Sequence, residues 1–168
     1  KNLKAVVVRG SGKVEAADPR KLTSMFRSGT KRIPEIGAVE FLHVHGTTGD
    51  GRSVDEVSLM GSTRICKSGL YQDQEDEEVR PRDFGFKHAE VAELTGGDAK
   101  ANAVILEAIL SGHETGPRRD MVIMNSGAAL ACAGLADNMG DGIELSREMI
   151  RSGAAIGKLR LLQKAAKL

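Results

Sequence analysis

The chain has 168 residues, and with glycine added to its 40% hydrophobic class about half of it is apolar, the proportion of an ordinary globular chain. That length suits one domain with a core large enough to need no disulfide or metal staple. A net charge of +1 gives no global drive toward nucleic acid or a membrane, no apolar run approaches the ~20 residues of a transmembrane helix, and the opening is not a secretion signal.

Charge is unevenly spread. Residues 1–32 carry nine Lys/Arg against two acids, and residues 50–78 carry eight acids against three bases. The basic opening reads as a solvated face rather than a phosphate-binding one. Cys66 and Cys132 are far apart and in no metal spacing, so they read as reduced thiols of a cytoplasmic protein. The first residue is Lys1 rather than Met, which suggests processing or a piece of a longer protein.

Gly-rich punctuation separates short elements. Ala5–Val8 reads as a strand before the Gly10-Ser11-Gly12-Lys13 turn. That turn is no P-loop: Val7 stands where the first glycine belongs, and Val14 replaces the Mg²⁺-binding hydroxyl. Asp18 and Pro19 open a helix to Phe26. Val39–Val44 is predicted as a strand stopped by Gly46, and Ser62–Lys67 as another. The acidic run 72–78 reads as a surface loop.

Asp98 caps a predicted helix whose apolar face is Ala101, Val104, Ile105, Ala108 and Ile109, ending at Gly112. Met121–Met124 reads as a strand and Ser126–Ala133 as a closely packed small-residue helix. Asp141 and Glu144 form a capping-box pattern for a helix reaching Arg151. Gly153 breaks it. Ala154–Leu168 is the last helix, with Ile156, Leu159 and Leu162 expected inside. The alternation predicts a three-layer α/β fold with Ala5–Val8, Val39–Val44 and Met121–Met124 in one sheet.

Two segments suggest chemistry. Gly46-Thr47-Thr48-Gly49-Asp50-Gly51 follows a strand, where backbone N–H groups can form an anion nest, or where φ-tolerant residues can simply turn. Asp55-Glu56 can hold Mg²⁺ together with substrate phosphates, or can be a helix's acidic first turn. The pair is expected partly exposed, at a crevice beyond the end of strand Val39–Val44. His43 and His45 share one side of that strand without a visible third ligand, so His45 reads as a positioning residue.

The order of these pieces is specific. Val44-His45-Gly46, Asp55-Glu56-Val57-Ser58 and Gly61-Ser62-Thr63 resemble the Val-His-Gly, Asp-Glu-Ile-Ser and Gly-x-Thr segments of the anthranilate phosphoribosyltransferases. Pro81-Arg82-Asp83-Phe84-Gly85-Phe86, Gly96-Gly97-Asp98 with Asn102-Ala103, Asn125-Ser126-Gly127-Ala128-Ala129-Leu130 and Ser152-Gly153-Ala154-Ala155 resemble later motifs of that family. The resemblance covers residues 38–168 and leaves 1–37 an unassigned opening of the same single α/β domain fragment.

The resemblance implies the C-terminal part of the large catalytic domain of the nucleoside phosphorylase/phosphoribosyltransferase type. It implies transfer of the phosphoribosyl group of phosphoribosyl pyrophosphate to anthranilate, in tryptophan biosynthesis, with Mg²⁺ as cofactor. Asp55 and Glu56 inherit the Mg²⁺ site. Gly96, Gly97, Asp98 and Asn102 read as structural, and the Gly46–Gly51 loop as a decoy for the family's phosphate loop. No catalytic residue is assigned. The family's helical N-terminal domain, main phosphate loop and Lys-His-Gly-Asn-Arg stretch are missing. A missing N-terminal half or a partner chain is therefore expected, the chain alone is expected to be inactive, and the intact enzyme is expected to be a homodimer. The rival readings are a related nucleoside phosphorylase and a non-catalytic nucleic-acid-binding relative. No membrane or nucleic-acid partner is expected.

Overall fold

The computed structural model describes residues 40–69 and 76–166. The predicted strand Ala5–Val8, the predicted helix Pro19–Phe26 and residues 72–75 of the acidic run lie outside them.

Four strands come first: β1 (Glu40–Thr47), β2 (Ser53–Val54), β3 (Thr63–Gly69) and β4 (Glu77–Val79). They form one antiparallel sheet in the order β2-β1-β3-β4. The register pairs Val44 with Ile65, His45 with Arg64 and Gly46 with Thr63. Side chains alternate with the pleat: Thr63, Ile65 and Val79 are buried, while His45 and Arg64 face solvent. β1 does not stop at Gly46 as predicted but runs through it to Thr47, because Gly46 is a sheet residue that admits a crossing backbone. Glu77 and Glu78 belong to β4 rather than to the predicted loop.

A 3₁₀ turn at Pro81–Phe84 leads into five helices: α1 (Val91–Leu94), α2 (Ala99–Leu110), α3 (Pro117–Cys132), α4 (Met139–Arg151) and α5 (Ala154–Ala165). Among the described residues the strands precede the helices instead of alternating with them. The fold is a small sheet with flanking helices, and no described helix is long and apolar enough to cross a membrane.

Met121–Met124 is not a strand; it lies inside the 16-residue α3. Pro117 starts that helix, and Met121, Met124 and Ala128 are buried at helical spacing, with Ile123 and Gly127 beside them. A four-residue apolar run alone does not separate a strand from a buried helical turn. The predicted helix from Ser126 is the second half of the same element.

Asp98 caps α2 as predicted, accepting a hydrogen bond from the Ala101 N–H at 2.8 Å. Its predicted apolar face is only partly covered: Ile109 is buried, but Val104 is 64% exposed. The cap of α4 is Asn138, not Asp141, whose N–H donates to the Asn138 side chain at 3.0 Å. α5 buries no residue fully, and Leu162, predicted inside, is 66% exposed.

The core lies between the 57–60 loop, Phe86 and helices α3 and α4. α3 and α4 meet at glycines. A Cβ on Gly127 would stand 2.5 Å from Ile143 Cγ1, and one on Gly142 would stand 3.0 Å from the Gly127 carbonyl carbon. Phe86 is buried, with the Arg147 guanidinium 4.7 Å above its ring.

Candidate functional site

Asp55 and Glu56 open the loop that joins β2 to β3. The preceding residue, Val54, is paired with Gly46 in the sheet. Glu56 turns its backbone back over β1: a Cβ on Gly46 would run into the Glu56 carbonyl oxygen, and would stand 2.7 Å from Val54 Cγ2 and 2.9 Å from Ser58 Cβ. Gly61 makes the matching approach on the loop's far side, where a Cβ would be 2.5 Å from the Thr47 carbonyl oxygen.

Hydroxyls fix the space between. Ser58 Oγ donates to the Thr47 carbonyl at 2.7 Å and accepts from the Met60 N–H at 3.0 Å. The Ser58 N–H donates to Thr63 Oγ1 at 2.8 Å. Ser58 and Thr63 are fully buried, so each of these bonds spares a polar group from desolvation without a partner. Val57, also buried, is held from the helical layer. Asn125 Oδ1 accepts from its N–H at 2.8 Å, and Asn125 Nδ2 donates to its carbonyl at 2.9 Å. The segments Val44-His45-Gly46, Asp55–Ser58, Gly61–Thr63 and Asn125 are therefore one another's contacts, and their common product is the shape of the acidic loop.

Both carboxylate residues are exposed. Glu56 lines a cavity of about 310 Å³ with Leu94, Asn102, Ile109, Arg118 and Met121. Crowding by protein raises the Glu56 carboxyl above its ordinary range, and the neighbouring Asp55 raises it further. Two adjacent carboxylates of which one resists ionisation suit a cation that would stabilise both charges. Among the described residues no group of three His, Cys, Asp or Glu converges on a metal. A hard cation here would have two carboxylates and would complete its shell with water and phosphate oxygens, which is how Mg²⁺ commonly binds. The residues present fit Mg²⁺.

The opposite wall of the cavity is pinned in the same way. Asn102 Oδ1 accepts from the Gly97 N–H at 2.8 Å, and its Nδ2 donates to the Gly97 carbonyl at 2.9 Å. Arg118, in the first turn of α3, donates from Nη2 to the Thr95 carbonyl at 2.8 Å. Its Nε is buried without an acceptor among the described residues. Arg118 does not stand out in the sequence; the one signal for it is its place just after Pro117 at a helix start.

His45 is exposed, and its Nε2 lies 3.3 Å from Ser53 Oγ across the β1–β2 pair. The His43 side chain is outside the described residues. The 48–52 loop is a hairpin turn. Thr48 N–H donates to the Arg52 carbonyl at 2.8 Å and Gly51 N–H to the Thr48 carbonyl at 3.0 Å. Gly51 has φ +82°, and Asp50 pairs with Arg52 at 2.7 Å. Two amides that an anion nest would offer, those of Thr48 and Gly51, are thus spent inside the turn, beside a carboxylate.

Residues 31–156 match the model of a glycosyl transferase family, α/β domain. The chain is 39% identical over 149 residues to an anthranilate phosphoribosyltransferase of Desulfatibacillum aliphaticivorans, covering 88% of this chain and 40% of that protein. It superimposes on the crystal structure of anthranilate phosphoribosyltransferase from Thermus thermophilus with TM-score 0.63 and 30% identity, over 83% of this chain and 38% of that one. The Saccharomyces cerevisiae enzyme in complex with phosphoribosyl pyrophosphate and Mg aligns with TM-score 0.58 and 25% identity, over 72% of this chain and 32% of that one. The chain thus spans about a third to two-fifths of the length of these relatives.

Proposed function

The chain belongs to the glycosyl transferase family, through its α/β domain, and from that premise we propose that it is part of an anthranilate phosphoribosyltransferase of tryptophan biosynthesis. The intact protein would join the anthranilate nitrogen to C1 of phosphoribosyl pyrophosphate and release pyrophosphate. Asp55 and Glu56 would hold Mg²⁺, which when bound supplies positive charge to the departing pyrophosphate.

Within this reading the chain's own residues prepare the site. Gly46 and Gly61 let the acidic loop lie close against β1. Ser58, Thr63 and Asn125 hold its backbone before any ligand arrives. Such preorganisation serves a reaction whose rate rests on positioning and on stabilising developing charge. The observation that carries the reading is this convergence of separate motif residues on the two-carboxylate loop, in a chain 39% identical to a protein of that name.

The test is a chimaera in which this chain replaces the matching segment of the Desulfatibacillum relative. With anthranilate, phosphoribosyl pyrophosphate and Mg²⁺, the folded chimaera is expected to consume anthranilate, read as loss of its fluorescence. The chain alone is expected to give no turnover, since one carboxylate pair supplies only part of the charge stabilisation. A folded chimaera without turnover, or turnover by the chain alone, would overturn the proposal.

A further inference from the structure

Asp55 and Glu56 occupy a two-residue span between two fixed points. On one side Val54 is bonded into the sheet opposite Gly46. On the other, Val57 has both backbone polar groups taken by one side chain, that of Asn125 in α3, 68 residues further along the chain. Asn125 Nδ2 also donates to the Met121 carbonyl of its own helix at 3.0 Å. Only one orientation of the amide satisfies all three partners, because the flipped one would set an oxygen against two carbonyls. The clamp therefore has a single geometry.

The same helix holds the other side of the cavity. Seven residues earlier, Arg118 donates to the Thr95 carbonyl, next to the loop that Asn102 pins at Gly97. α3 thus bonds to both walls, Val57 on one and Thr95 on the other, and its rigidity sets the distance between them. Met121, between Arg118 and Asn125 on α3, lines the cavity floor and is buried in the core.

We propose that Asn125 is a positioning residue for the divalent-cation site: by clamping Val57 it places the Asp55 and Glu56 carboxylates so that one cation meets both. The inference rests on the Mg²⁺ reading of that pair. Without the clamp the next fixed point downstream is Ser58, held by Thr47 and Thr63, so the free span grows from two residues to three and the cation must supply more of the order. Partners that orient metal ligands without touching the metal typically change affinity by about 10–100-fold.

The probe is Mn²⁺, added to the full chain and read as paramagnetic broadening of backbone amide signals in NMR spectra. In the wild-type chain the amides of Glu56 and Val57 should broaden first, and Glu56→Gln should abolish this. Asn125→Ala should raise the Mn²⁺ concentration for half-broadening about tenfold and speed hydrogen exchange of the Val57 amide. Ala129→Gly loosens the same helix one turn on at an exposed position outside the core, and should do neither. If Asn125→Ala broadens like the wild type, or shifts no further than Ala129→Gly, the positioning role is wrong while the metal reading stands. If the wild-type chain shows no selective broadening at Glu56, or Glu56→Gln leaves it unchanged, the metal reading fails and the positioning role with it.

Discussion

Gly46 in β1 faces the carbonyl oxygen of Glu56 with no room for a side chain between them. That contact makes a strand residue and a loop residue ten positions apart into one unit. It also explains why β1 runs through its glycine instead of ending there: the glycine is a saddle for the acidic loop. Gly46→Ala must push the loop off the sheet and is expected to cost about 1–3 kcal/mol of stability, as overpacking does. Gly51→Ala, at φ +82° with open space around it, strains only the exposed turn and should leave the loop intact. Urea denaturation together with the amide shifts of residues 55–58 checks both. A Gly46→Ala chain with wild-type stability and shifts would contradict this packing.

The crossing of α3 and α4 sets the position of Asn125 and can be tested separately. Gly142→Ala would press a methyl group onto the Gly127 backbone, so the helices must part, at a cost of about 1–3 kcal/mol. Gly157 lies inside α5 with nothing near its missing Cβ, so Gly157→Ala should stabilise by about 0.5–1 kcal/mol through helix propensity. Thermal melts of the two variants should move in opposite directions. Equal shifts would mean that α3 and α4 are not in glycine contact.

Glu56 links stability to pH. Its carboxyl is raised in the folded chain by crowding and then by Asp55, so its protonated form favours the fold, and that benefit is lost as pH rises through the folded pKa. Glu56→Gln mimics the protonated acid. It should melt higher than the wild type at neutral pH, and the difference should vanish as the pH falls below the ordinary glutamate range. Mg²⁺ should raise the wild-type melting temperature and leave Glu56→Gln unmoved. A variant less stable than the wild type at neutral pH would contradict the raised pKa.

Asp50 behaves in the opposite sense. The Arg52 side chain bonded to it holds its carboxyl well below the usual range. Its contribution to the hairpin is present above the unfolded pKa and fades only as pH falls through the folded value. Carboxyl NMR titration should show Asp50 charged through mild acid in the wild type and titrating closer to the ordinary range in Arg52→Ala, where the Thr48 hydroxyl still donates to it. Normal titration in the wild type would remove the ion pair.

Local signals in the sequence are informative where the physics is local. The Asp98 cap, the strand through Val44 and the end of α4 at Arg151 follow from neighbouring residues alone. The Met121–Met124 segment does not, because its helical burial depends on what α3 packs against. Asn138 rather than Asp141 caps α4, since both residue types can cap and only the backbone chooses between them. The acidic pair stands out through the order of its surrounding motifs. Its geometry does not, since the groups that shape it, Gly46 and Asn125, act across 10 and 68 residues.

Under the proposed function Asp55 and Glu56 would hold the divalent cation used at the pyrophosphate, and the Mg²⁺ dependence of turnover in the chimaera carrying Asp55→Asn with Glu56→Gln tests this most directly. Turnover should fall by about 10²–10³, in the range of losing a transition-state contact. The Mg²⁺ concentration for half-maximal rate should rise, and the melting temperature should be no lower than that of the parent chimaera. Unchanged turnover at limiting Mg²⁺ would show that the pair is only a solvated turn.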